Sequence, residues 1–153
     1  MDTRHNGGGW LHDDLVTLFG GKLYAEFRPR GQYMAPEPYS KWTKPTCVLV
    51  GEDNYSDAHG FPYAYKALGL GKLIGAPVPG TMTLVWWENQ INSQIVVGFP
   101  QVGTWSVQEG RYLENAQLEP DILVYNDPAS LLEGKDPQLE AAVREMLDQT
   151  AAK

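Results

Sequence analysis

A single cysteine, Cys47, stands among the 153 residues, so no internal disulfide can staple the chain. Set inside an apolar run, it reads as a small core residue and not as a reactive thiol. No stretch of about 18 uninterrupted apolar residues occurs, which excludes a membrane-spanning helix. Cations are scarce: 12 Lys and Arg face 19 Asp and Glu, for a formal charge of −7. That balance argues against nucleic acid as a partner, which requires clustered Lys and Arg. Residues 1–9 are polar and glycine-rich and lack the apolar stretch of a signal peptide. These features leave the compartment open between the cytoplasm and, behind a leader in a longer precursor, the periplasm or exterior. The histidines lack the paired spacing of a zinc helix, and one cysteine makes no thiolate cluster. Asp121, Asp127, Glu133 and Asp136 do not follow the calcium-loop pattern, so no metal and no other cofactor is expected.

What is present fits one α/β domain. At 42% hydrophobic residues the chain can bury a core of ordinary domain size. Residues 46–50 form a short continuous β-branched run, the signature of a strand buried on both faces. Residues 10–19 place Leu11, Leu15 and Leu18 on one helical face, and residues 61–70 space Phe61, Tyr65 and Leu68 likewise. Strands are predicted at 1–5, 72–76, 102–108 and 122–125, and a hairpin at 82–87 and 91–98 around Glu88, Asn89 and Gln90. A last helix over 137–147 is entered through Asp136 and Pro137 at the N-cap and N1 positions. Residues 20–45, rich in Gly, Pro, Tyr and Arg without sustained period, read as a long ordered surface excursion. The alternation of elements predicts an α/β fold with an added β-hairpin.

Two segments carry candidate chemistry. Ser56, in the run Asn54, Tyr55, Ser56, Asp57, Ala58, His59, Gly60, falls at a strand-to-helix turn. There the first amides of the helix point at whatever lies above the hydroxyl, which favours a developing oxyanion. The plainer reading is that Ser56 or Asp57 merely caps the helix, since both types are preferred N-caps, and these residues alone leave both readings open. The other segment is Asp2, Thr3, Arg4, His5, Asn6, Gly7, Gly8, Gly9. Three successive glycines each cost about 0.5–1 kcal/mol of extra backbone entropy, which suits a turn with positive φ or a close approach to a ligand. Trp10 and Leu11 follow where a phosphate-binding loop needs Lys and Ser or Thr, so that reading fails.

These two segments, together with Tyr65 to Gly71, Glu114 and Asn115 before Pro120 and Asp121, and Asn126 to Pro128 before Gly134 to Glu140, resemble the catalytic region of tail-specific and tricorn-type serine proteases. The resemblance runs over nearly the whole chain in the family's order. It implies a crotonase-like (tail-specific protease) α/β core with buried, mostly parallel strands, flanking helices and a β-hairpin. It further implies Ser56 as nucleophile, Glu114 as the carboxylate that orients the base system, and an oxyanion hole made by the amides of Asp57 and of Gly8, with Gly9 as neighbour. Tail-specific relatives carry a base lysine at a distance that lands near Thr81 here, and no lysine stands between Lys72 and Arg111. Tricorn-type relatives use a histidine from sequence upstream of the glycine loop, so the chain is expected to be the C-terminal part of a catalytic domain, inactive alone. The partners implied are a peptide substrate, the upstream catalytic segment of the parent chain, and further copies in a homo-oligomer. Its alternative is a non-catalytic peptide-binding or scaffold module on the same fold, with Trp42, Trp86, Trp87 and Trp105 in a groove or interface. A crotonase-like acyl-CoA enzyme shares the core but gains nothing from the Ser56 and Glu114 segments.

Overall fold

All four side chains of the strand Cys47–Val50 are buried. Val48 and Val50 pack with Phe61, Tyr65, Leu73 and Val78 on one side, while Cys47 and Leu49 pack with Ile74 and Ala142 on the other. A strand covered on both faces requires apolar residues at every position, and here it has them. Cys47 is accordingly a core residue, and burial pushes its thiol pKa up.

The structure, a computed structural model, describes residues 1–151. In chain order its α-helices and β-strands are α1 (His12–Phe19), β1 (Ala25–Phe27), β2 (Ala35–Glu37), β3 (Cys47–Val50), α2 (Asp57–Ala67), β4 (Lys72–Gly75) and β5 (Thr83–Asn89). There follow β6 (Val96–Gly103), β7 (Trp105–Ser106), β8 (Arg111–Tyr112), β9 (Ile122–Leu123), α3 (Pro128–Leu132) and α4 (Pro137–Ala151). The central sheet is parallel, in the order β3-β4-β9. Helices α1 and α2 cover one face and α4 the other, giving an α/β arrangement of three layers. Among the described residues no helix is long and apolar enough to cross a membrane.

Helix α2 contains Pro62, which cannot donate to the carbonyl four residues back. That carbonyl, of Ala58, is taken instead by Asn54 Nδ2 at 2.9 Å, while Asn54 also donates to Thr3 Oγ1 and accepts from the Gly51 amide. One buried amide thus ties together the end of β3, the start of α2 and the N-terminal segment. The N-terminal segment is fixed again by Arg4, whose guanidinium reaches Asp2, Asp136 and Gln138. Asp136 in turn accepts the Leu139 amide at 3.0 Å and caps α4.

Several expectations need correction. The strand expected at 1–5 is only a parallel bridge of Asp2 to Leu49, because His5 turns to φ 63° and leaves the sheet. The helix expected at 10–19 begins at His12, after Leu11. The hairpin runs farther than expected, with Trp86 opposite Phe99 and Thr83 opposite Gly103. Its turn lies at Gln90–Ile95, where Asn92 Oδ1 accepts the Gln94 amide and closes a local loop that residues 88–90 do not make. The longer β6 absorbs the first two residues of the strand expected at 102–108, and only Trp105–Ser106 remains as β7. The strand at 122–125 is shorter and only half-buried, being at the sheet edge. The surface excursion at 20–45 holds an antiparallel pair, Ala25 opposite Glu37 through Phe27 opposite Ala35.

Candidate active site

Ser56 stands between the end of the buried strand and the first turn of α2, with φ 57° and ψ −118°. A non-glycine residue in that region carries backbone strain of about 1–3 kcal/mol, which the surroundings must hold in place. They do so by hydrogen bonds on both sides. The Tyr55 amide donates to Asn6 O at 3.1 Å, the Ser56 amide to Thr81 Oγ1 at 3.2 Å, and Ser56 O accepts the amides of His59 and Gly60. The Ser56 side chain makes no cap hydrogen bond to its own helix and is partly exposed.

The glycine loop closes on this serine. Gly8 has φ 96°, and a Cβ placed on it would meet Ser56 Cβ and Tyr55 O at 2.7 Å and the Asp57 amide nitrogen at 3.0 Å. Only a residue without a side chain can come so near. Gly9, at φ 152°, has open space where a Cβ would stand. The Gly8 amide donates to Asn6 Oδ1 at 2.8 Å, whereas the amides of Gly9 and Asp57 have no acceptor among the described residues. Gly8, Gly9 and Asp57 also line a cavity of about 150 Å³ together with Asn6, Leu15, Ala58 and Phe61, and Ser56 is not part of its wall. A larger apolar groove, about 400 Å³ between β3 and α4, lies on the other side of the sheet and takes no part here.

Glu114 approaches from the second half of the chain. Its Oε2 accepts the Met82 amide at 2.9 Å and the Thr83 hydroxyl at 2.6 Å, and the Asn115 amide donates to Gly80 O at 2.8 Å. Residues 80–83 therefore touch Ser56 through Thr81 and Glu114 through the two residues that follow. Thr81 stands near the place where tail-specific relatives carry a base lysine, and its hydrogen bond to Ser56 spans 25 residues, which the sequence alone does not show.

Among the described residues, neither the lysines nor the histidines hydrogen-bond the Ser56 side chain. Lys66 pairs with Asp121 at 3.0 Å and Lys72 with Glu145 at 2.9 Å. His5 is exposed and bound to Asp53, and His12 Nδ1 lies 2.5 Å from Asp57 Oδ1. His59 is buried on α2, edge-on to Tyr63, with no partner for its Nδ1. Burial lowers its pKa, opposed by the charge of Glu114 and assisted by that of Arg111. Among the described residues no group of three or more His, Cys, Asp and Glu is arranged to hold a metal ion.

The profile of Peptidase family S41 matches residues 1–124. The chain is 28% identical over 149 residues to a tricorn protease of Thermoplasma acidophilum, which covers 97% of this chain and 14% of that protein. It is 29% identical over 147 residues to the tricorn protease of Thermoplasma volcanium, again 14% of that protein and 96% of this chain. A crystal structure of the tricorn protease superimposes with a TM-score of 0.86 at 28% identity, over 96% of this chain and 14% of that one. This chain thus spans about one seventh of the length of the relatives it matches.

Proposed function

Given that this chain belongs to peptidase family S41, we propose that it carries the nucleophile and the oxyanion hole of a serine peptidase. In this reading Ser56 Oγ adds to the carbonyl carbon of a peptide bond and yields its proton to a base, which returns a proton to the departing amine. The acyl-serine is then released by water. The oxyanion is met by the Asp57 amide and by the glycine loop, where Gly9 offers the unengaged N–H and Gly8 permits the approach. Each such donor contributes about 2.7–4 kcal/mol to lowering the barrier. Glu114, fixed by Met82 and Thr83, orients the base system. The core that carries these groups is of the crotonase-like kind, built on the parallel strands β3, β4 and β9.

The observation that carries the proposal is the strained, uncapped Ser56 with Gly8 pressed against it. A cap would bond its own helix, which counts against the scaffold alternative. We assign the base to a histidine outside these 153 residues, as the tricorn-type relatives suggest: the Ser56 side chain has no hydrogen bond to His5, His12 or His59, of which His5 is turned to Asp53 at the surface and His59 is enclosed in the protein. On that basis this chain by itself is inactive, and the substrate of the whole protein is a peptide.

A fluorophosphonate probe tests the proposal. The full natural polypeptide is expected to be labelled on Ser56 and its Ser56→Ala variant is not, with mass spectrometry of the tryptic peptide as readout. A natural polypeptide that remains unlabelled, or labels elsewhere, rules the proposal out.

A further inference from the structure

The carboxylate of Asp57 has no step in the mechanism above, yet it is buried and one of its oxygens accepts two backbone amides. Its Oδ2 accepts the amides of Leu11 at 2.8 Å and His12 at 3.2 Å, the first donors of α1. Its Oδ1 lies 2.5 Å from His12 Nδ1, outside hydrogen-bond alignment, and neither of these two buried atoms has another partner. Leu11 offers no side chain to cap α1, so a residue 46 positions away does the capping. Negative charge at the head of a helix is favoured by the dipole and by the unpaired amides there.

The glycine loop lies between this contact and a second one. At its start, Asn6 O accepts the Tyr55 amide and Asn6 Oδ1 accepts that of Gly8. At its finish, Leu11 and His12 are held by Asp57. Both ends of the loop are therefore fastened to the two residues that flank Ser56. Three glycines in a row have little intrinsic preference for one conformation, so these attachments are what set the loop's distance from the serine.

We infer that the Asp57 carboxylate, with His12 against it, is a positioning group that fixes the glycine loop at oxyanion distance from Ser56. One residue then contributes twice, its amide as a donor and its side chain as the clamp that places the other donor. A displacement of the loop by 1 Å suffices to slow such chemistry by about 10²-fold. The inference rests on the serine-peptidase reading given above.

The test compares four forms of the full natural polypeptide: unmodified, Asp57→Ala, Asp57→Asn and Asp57→Glu. Measured are the fluorophosphonate labelling rate, kcat and KM on a peptide substrate per titrated active site, and far-UV circular dichroism. Asp57→Ala is expected to label at least tenfold more slowly, with kcat falling and KM within twofold of the unmodified value. Asp57→Asn keeps an oxygen for the Leu11 and His12 amides and is expected to recover most of the rate. Should Asp57→Ala not fold, Asp57→Glu decides: it retains the charge but pushes the loop outward by one methylene, and a tenfold slowing is expected. Folded Asp57→Ala or Asp57→Glu labelling within twofold of the unmodified rate overturns the inference while leaving the peptidase reading intact. Absence of labelling in the unmodified polypeptide overturns both.

Discussion

Substituting Gly8 by alanine should damage the site far more than the same change one residue later. The new methyl would stand 2.7 Å from Ser56 Cβ and 2.7 Å from Tyr55 O. Carbon atoms rest about 3.5–4.0 Å apart, so the loop must retreat by about 1 Å. Misplacement on that scale costs about 10²-fold in rate. The strained φ of 96° adds about 1–2 kcal/mol of instability and the crowding about 1–3 kcal/mol, together about 2–5 kcal/mol. Gly9→Ala meets only the backbone term, about 1–2 kcal/mol, because the space beside it is empty. Urea denaturation followed by circular dichroism should rank the two variants in that order. Fluorophosphonate labelling of the full natural polypeptide should fall about 10²-fold for Gly8→Ala and by less than tenfold for Gly9→Ala. A Gly9→Ala variant labelled as slowly as Gly8→Ala, or a Gly8→Ala variant labelled normally, refutes the steric argument.

Three other perturbations address the scaffold. Leu73→Ala empties a wholly buried position between the sheet and α2, and urea titration should show a loss of about 2–5 kcal/mol. Burial disfavours the charged form of His59 while an unfolded imidazole takes a proton at about 6.5, so its stability contribution is complete above that pH and declines as pH falls. The urea midpoint should therefore drop less between pH 7.5 and 5.5 in His59→Leu than in the unmodified chain, about in proportion to the proton no longer taken up, and equal slopes would count against this assignment. The Arg4 guanidinium holds the Asp136 carboxyl well below the usual carboxylate range, a contribution present at neutral pH and lost as pH falls below about 4. Arg4→Ala should be less stable at pH 7 and show a shallower acid loss, as read by thermal unfolding across pH.

Local pattern carried much of the fold. β3 is legible in residues 47–50 because a strand covered on both faces has no alternation to hide, and α4 begins at Pro137 as Asp136 and Pro137 announce. The first turn of α2 is not legible, because Asp57, His59 and Gly60 show no apolar period, yet all are buried there. The hairpin turn is not where local composition points, because Glu88 and Asn89 look like turn residues while Trp86 pairs opposite Phe99. α3 is not legible in the sequence: five residues are too few to display a period, and its N-cap Asp127 accepts the Ser130 amide. Of the candidate site, the glycine loop and Ser56 are readable as unusual local sequence. The route from Ser56 through Thr81 to Glu114, and the grip of Asp57 on Leu11, cross 25 to 46 residues and exist only in three dimensions.

Every tryptophan of this chain, Trp10, Trp42, Trp86, Trp87 and Trp105, sits in contact with solvent, while Phe61 and Tyr65 supply the aromatic part of the interior. Indole emission from the native molecule should therefore already be red-shifted and open to acrylamide quenching, changing little on denaturation. The same arrangement makes Trp86 and Trp87 a built-in optical probe: a ligand or subunit that settled on the hairpin would shift their emission to the blue without any label being attached.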